Sequence, residues 1–192
     1  MNTSLLRPAL VLFGALTFVT GIAYPLAVTG AAQAFFPHEA NGSVVMKDGR
    51  AIGSSLVGQQ FTEPRHFWGR PSATAGKPYN AGASGGANQG PTNPALVEAV
   101  KARIEALRAA DPGNGAAVPV DLVTASASGL DPHVSIAAAR FQIARVARAR
   151  GLAPERVAAL VERHAEQPWL GLFGEPRVNV LGLNLALDAL KP

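Results

Sequence analysis

The longest apolar stretch of the chain comes first: residues 8–36 pass without one charged side chain, and Arg7 stands directly before them. As a helix rising 1.5 Å per residue these 29 residues span roughly 43 Å, against about 30 Å for a hydrocarbon core. Beyond them the pattern shortens. Residues 43–46 and 51–57 are β-prone runs flanking Lys47-Asp48-Gly49-Arg50, and Asp-Gly in that place predicts a hairpin. Helical spacing then takes over. Asn93 is a suitable N-cap, Pro94 suits the first helical position, and Asp111-Pro112-Gly113 stops the chain. Between them Leu96, Val97, Val100, Ile104 and Leu107 share one face, with Glu98, Lys101, Glu105 and Arg108 opposite.

A second helix is predicted from Ser135 as N-cap to Gly151, with Ile136, Ala139, Ile143, Val146 and Ala147 inward and Arg145 and Arg148 pointing away. Arg140 falls at the edge of its apolar stripe and Phe141 on the far face, places that suit a contact with a partner. A third helix starts at Pro154, buries Val157, Leu160 and Val161, and ends before Pro168. Near the C-terminus Leu181, Leu183, Leu185 and Leu187 alternate like a strand, while Leu183, Leu187 and Leu190 fit a helix, so the period leaves both open. Residues 64–94 are rich in Gly, Pro, Asn, Ser and Ala yet hold Phe67, Trp68 and Tyr79, which predicts an ordered, irregular segment packed by its own aromatics. The sum is an α+β fold, with helices packed beside a small sheet.

The apolar run has a rival reading as a secretory signal, since Ala32-Gln33-Ala34 matches a cleavage site and Arg7 supplies a positive flank. From Leu5 to Ala23 the chain already runs 19 residues with Arg7 as its sole charge, beyond the roughly 7–15 of a signal core, so it reads as a retained anchor. Gly14, Gly21 and Gly30 with Ala15, Ala23 and Ala27 leave small surfaces for another helix, and Pro25 is a potential bend. The division expected is a cytoplasmic N-terminus (1–7), a membrane helix (8–36) and an extracytoplasmic domain (37–192). The short cationic N-terminus favours that orientation, although Lys and Arg counts alone slightly favour the reverse.

Composition narrows the classes. The 156 residues after the anchor make one domain. Setting Arg7 aside leaves 16 basic against 13 acidic side chains, a net of +3, dispersed and with few aromatics, which argues against nucleic acid and for anionic lipid head groups nearby. Gly82-Ala83-Ser84-Gly85-Gly86 satisfies G-x-S-x-G, with Asp131 and then His133 or His164 downstream, but no strand enters and no helix leaves at once, as a nucleophile elbow needs. The same glycines, with Gly90, lead towards a helix N-terminus and suggest a phosphate cradle; no Gly-Lys-Ser/Thr follows, and close packing of the loop explains them better. Asp131 and His133 with His66 and His164 lack metal-ligand spacing. No metal site or securely bound cofactor is expected.

Several motifs follow one another in a familiar order: residues 53–59 (GSSLVGQ), Phe67, Arg70-Pro71-Ser72-Ala73, Tyr79-Asn80, Ser84-Gly85-Gly86, Asn88, Gly90-Pro91-Thr92-Asn93, and 123–126 (VTAS). They continue with 128–133 (SGLDPH), 174–181 (GEPRVNVL) and 183–187 (LNLAL). In this run the chain resembles the KdpC family, the C subunit of the Kdp potassium-transporting ATPase. Ala87, Gln89, Ala127 and Ile136 depart from the family's usual residues.

The resemblance implies a non-catalytic, single-span accessory subunit of an ATP-driven potassium uptake pump in the cell inner membrane, with its domain in the periplasm. It implies three partner chains: a channel-like potassium-translocating subunit, a P-type ATPase subunit and a small membrane peptide. ATP and potassium would act at those partners, and the C subunit would assemble the complex and raise the ATPase subunit's affinity for ATP. The alternatives are direct nucleotide contact through Ser84, Gly85, Gly86 and Asn88, or shaping of the potassium access path. Arg70, Pro71, Ser72, Asn80, Thr92 and Asn93 are then candidate contact or structural residues. So are Asp131, His133, Arg140, Glu175, Arg177 and Asn179.

Overall fold

The computed structural model describes residues 3–190. The chain divides into two compact units, Met1–Ile52 and Gly53–Pro192.

The first unit is built on the apolar run. Helix α1 (Thr3–Phe18) passes through a π-helical segment (Val19–Ala23) into α2 (Tyr24–Phe35). Proline explains the change of pitch: Pro25 has no N–H to give back, and its ring crowds the carbonyl four residues earlier. Widening the turn relieves the clash, and the Tyr24 N–H donates to Val19 O, five residues back. The helix Leu5–Phe35 has the length and composition of a membrane span, and none of it is buried within the protein. A short helix, α3 (Pro37–Ala40), follows, and then strands β1 (Val44–Lys47) and β2 (Arg50–Ser54) pair as a hairpin. Its turn residues Asp48 and Gly49 both have positive φ (50° and 75°), the signature of the hairpin turn whose twist matches the strands.

In the second unit α4 (Pro94–Ala110), α5 (Ile136–Arg150), α6 (Pro154–Arg163) and α7 (Val180–Asp188) stand with a three-stranded antiparallel sheet. Its strands are β3 (His133–Ser135), β4 (Ala165–Glu166) and β5 (Arg177–Asn179), in the order β3-β5-β4. Val134 pairs with Val178, and Ala165 also faces Val178. The two valines are buried against Ala138, Ala139, Val146, Val157, Val161, Leu183 and Leu187. Phe67, far from any strand or helix, is fully buried in the same core.

Caps fall where the sequence places them. Asn93 accepts from the Ala95 N–H, Ser135 from Ala138, and Gly151 closes α5 in the left-handed region. Two details differ, one helix end is sharpened and one open element is decided. Val97 is exposed, because α4 buries only Leu107 fully and rests Val100 and Ile104 against the core's edge. Arg145 does not point away: it is buried on α5. Helix α6 ends at Arg163, well before Pro168, because Ala165 and Glu166 are taken up by β5. The leucine-rich C-terminal element is a helix, with Leu183 and Leu187 fully buried four residues apart.

Candidate functional site

Residues 55–93 contain no strand or helix beyond one 3-10 turn (Ala81–Ala83), so their main chain must find partners elsewhere. Two buried side-chain amides supply them. Asn184 of α7 accepts from the Phe67 N–H (2.8 Å) and donates to the Phe67 carbonyl (3.0 Å). Gln142 of α5 does the same for Trp68, at 2.8 and 3.1 Å. Arg145, one turn along α5, donates to Pro64 O and Gln142 Oε1 and lies 4.3 Å over the Trp68 ring. Burial pulls its guanidinium down to about 10, which leaves it charged at neutral pH. Three polar side chains on two helices therefore bolt consecutive residues of an irregular segment to the core.

What is bolted down is a face where distant loops interleave. Ser72 Oγ donates to Gly129 O and accepts from the Tyr79 N–H; the Ser126 N–H donates to Pro71 O; Thr74 Oγ1 donates to Lys77 O and accepts from Asn80 N–H. Gly129 has φ +69°, and a Cβ there would lie 2.5 Å from Thr74 Cγ2 and 2.9 Å from Gly85 O. Gly86 is equally closed, with Ala127 O only 2.8 Å from the place of a Cβ. The Ser84 hydroxyl and the Gly85 N–H both donate to Ser128 O.

Arg70 sits at the junction, lining three adjoining clefts. Its Nη1 donates to Asp131 Oδ2 at 3.1 Å, while its Nε is buried without a hydrogen-bond partner among the described residues. Burial alone would raise the Asp131 pKa. Hydrogen bonds from the His133 side chain and main chain and from Arg70 outweigh it, and hold the carboxyl at about 2. Tyr79, whose hydroxyl donates to Arg70 O, is pushed up to about 12 by burial and by the nearby Asp131 charge.

The charges continue across the outer face of the sheet. His133 Nδ1 lies 3.6 Å from Asp131 and its Nε2 3.9 Å from Glu166, which accepts from Arg177 Nε at 3.0 Å. With Glu175, Asp121 and Ser135, the residues Asp131, His133 and Arg177 line a cleft of about 410 Å³. The neighbouring cleft, about 740 Å³, is lined by Gly86, Asn88, Gly90, Thr124, Ser126, Arg70 and Arg103. The third, about 440 Å³ and largely apolar, takes Phe61, Trp68, Tyr79, Leu107 and Leu122 with Pro71 and Ser72.

The structure thus gathers Arg70, Asp131, His133, Glu175 and Arg177 about one cleft, and places Gly86 and Asn88 about the next. Asn80 caps the 3-10 turn, Asn93 caps α4 just after the exposed Thr92, and Asn179 caps α7 while donating to Ser55 O. Arg140 is apart: it is exposed on α5 and meets Glu162 of α6 at 2.7 Å. Phe141 rests partly buried against the core. His66 lies between Glu63 and Asp188, and His164 Nδ1 meets Leu160 O, so these histidines and Ser84 each have other neighbours than a triad requires. Among the described residues, no group of three or more His, Asp or Glu side chains is arranged to hold a metal ion.

Sequence reasoning passed over Gln142 and Arg103, gave Asn184 no role beyond its motif, and set Arg145 facing away from the core. Arg103 lines two of the clefts and donates to Val123 O. A polar residue on a helix's buried face signals such a role only once the face is known, and Gln142 and Asn184 carried no motif of their own beyond the second one's place in 183–187.

Both units fall within one family match. A sequence model described as "KdpC: K+-transporting ATPase, c chain" covers residues 6–189. The chain is 71% identical over 189 residues to the potassium-transporting ATPase KdpC subunit of Polaromonas naphthalenivorans (strain CJ2), covering 98% of this chain and 96% of that one. It is 70% identical over 186 residues to the KdpC subunit of Variovorax paradoxus (strain S110), and 64% identical over 189 residues to that of Methylibium petroleiphilum. The apolar helix from Leu6 onward, the bolted loops and the paired charges of the outer sheet face lie inside the matched span, and the chain belongs to the KdpC family.

Proposed function

We propose that the chain is an accessory, non-catalytic subunit that holds an ATP-driven potassium pump together. In this reading the Leu5–Phe35 helix stays in the inner membrane as a docking element. The domain stands on the periplasmic side and grips a channel-like potassium-translocating subunit. Potassium and ATP act at that subunit and at a P-type ATPase chain, with a small membrane peptide completing the complex. The observation that carries the reading is the convergence of separated motifs on one loop face, fastened to the core, where the principal charges are already paired. Arg70 with Asp131 and Glu166 with Arg177 fix shape rather than poise a reactive group.

The Ser84 and Gly85 donors are committed to Ser128, which favours this reading over direct nucleotide contact through the glycine loop. Any rise in ATP affinity then travels through the membrane helix and the channel-like chain, as a coupling between distinct states of the pump. A net charge of +3 on the domain gives no general attraction for potassium, so a role in the access path would rest on local carbonyls.

Truncation tests the proposal. A chain ending after residue 36, expressed with the other subunits, is expected to leave the pump poorly assembled, with loss of co-purification of the ATPase and channel-like chains. Normal recovery of an intact, active complex would overturn it.

A further inference from the structure

Between β4 and β5 the chain makes a tight loop whose four large side chains serve no core. Trp169, Leu170, Leu172 and Phe173 are 70%, 76%, 77% and 58% exposed. Together they show on the order of 500 Å² of apolar surface, comparable to the largest patch on a typical soluble monomer. No charged residue lies between Gln167 and Gly174. The loop is also closed upon itself. Trp169 and Phe173 exchange both main-chain hydrogen bonds at 3.0 Å, Gly171 N–H donates to Pro168 O, and Leu172 N–H donates to Trp169 O. The two rings lean together with centroids 5.6 Å apart.

We infer that this loop inserts into the head-group and upper acyl region of the bilayer, giving the domain a second hold on the membrane. The inference rests on the reading of Leu5–Phe35 as a retained span. Three observations select lipid over a protein groove. Four of the loop's N–H groups, those of Trp169, Gly171, Leu172 and Phe173, are paired within the loop itself, which lowers the cost of moving it into the bilayer's upper layer. Its apolar side chains are exposed about a turn of two positive-φ residues, Leu170 and Gly171, so it is an apolar tip that offers a protein partner no charged side chain. A Trp-Phe pair beside two leucines is the side-chain mixture that settles at a membrane interface. Reach is assured: residues 36–52 between the span and the second unit extend at most about 56–61 Å, so the bilayer surface is always at high effective concentration.

The two tryptophans make the test direct, since the sequence has only Trp68 and Trp169. The full chain carrying Trp68→Phe is reconstituted in phosphatidylcholine vesicles, with and without lipid brominated high on the acyl chain. Emission from Trp169 is expected to fall at least twofold with brominated lipid. The Trp169→Phe chain, reporting Trp68, is expected to change little, and the difference between it and the unaltered chain gives the same answer if Trp68→Phe folds poorly. Adding Leu170→Asp and Leu172→Asp should abolish the quenching while the chain still floats with vesicles. Flotation with unquenched Trp169 overturns the wedge and leaves the anchor standing. A chain that fails to float overturns both. A blue shift of Trp169 that appears only when the other pump subunits are added, without bromine quenching, marks a protein contact and also overturns it.

Discussion

Asn184 and Phe67 are 117 residues apart, and the side chain of one substitutes for the strand partner of the other. Both main-chain groups of Phe67 are satisfied by a single amide, while the Phe67 ring fills the core beneath it. Replacing Asn184 by Ala leaves a buried N–H and a buried C=O unpaired, at about 1–3 kcal/mol each. The expected loss is about 2–5 kcal/mol of stability, read as a lower denaturant midpoint of the detergent-solubilised chain. A midpoint unchanged within error would mean that the loop is not fastened there. Asn184→Asp should help little, since it keeps the acceptor but turns an acceptor upon the Phe67 carbonyl.

Arg145 offers a sharper chemical contrast. Its planar head reaches Pro64 O and Gln142 Oε1 at once and covers Trp68. A lysine keeps the charge but lacks the fork and the stacking plane. Arg145→Lys is therefore expected to destabilise by about 2 kcal/mol or more and to red-shift Trp68 emission, measured in a Trp169→Phe background. Equal stability of the lysine variant would show that charge alone suffices.

Acid should loosen the loop face through Asp131. Its carboxyl titrates at about 2 when folded, against 3.8 unfolded, so its contribution is complete above the unfolded value and disappears as pH falls through about 2. The shift corresponds to about 1–2 kcal/mol after allowing for the group's partial exposure. Unfolding midpoints of the wild type should fall between pH 5 and pH 2 by more than those of Asp131→Asn. Parallel pH profiles would remove Asp131 as a source of that sensitivity.

Two glycines separate close packing from ligand cradling. Gly129→Ala combines an unfavourable φ with a Cβ inside contact distance of a side chain and a carbonyl, and should cost about 2–4 kcal/mol. Gly90 faces open space, so Gly90→Ala should stay within about 0.5 kcal/mol. If Gly90→Ala preserves stability yet raises the pump's apparent KM for ATP, nucleotide contact regains ground over assembly.

Orientation is open to one experiment because the chain has no native cysteine. Ala153 is exposed at the cap of α6. Ala153→Cys in intact cells should react with a membrane-impermeant thiol reagent, placing the domain outside. Labelling only after permeabilisation would put it in the cytoplasm and return direct nucleotide contact to consideration.

The sequence was most informative where local chemistry decides structure. Asn93-Pro94, Ser135 and Gly151 are caps whose geometry depends on a few adjacent atoms, and Asp48-Gly49 is a turn for the same reason. It was least informative where partners are remote. Arg145 reads as a surface residue by spacing, and only the arrival of Pro64 and Trp68 from another part of the chain makes its burial tolerable. The leucine-rich end was undecidable by period, and Asn179 decides it by capping α7 through Gly182. Of the candidate site, the motif residues were visible one at a time, but that Arg70 meets Asp131 while Arg140 stays apart follows from tertiary packing alone.

The wide turn before Pro25 does more than accommodate a proline. In an uninterrupted α-helix, at about 100° per residue, Gly14 and Ala15 would look roughly 140° away from Ala27 and Gly30. A π segment absorbs one extra residue and sets everything after it back by about 100°, which leaves the two pairs roughly 40° apart. The proline and the extra residue together act as a phase corrector. The rod keeps its small residues from Gly14 to Gly30 towards one side, and inserting or deleting a residue within Val19–Ala23 would be felt as a twist of the far half rather than as a change of hydrophobicity.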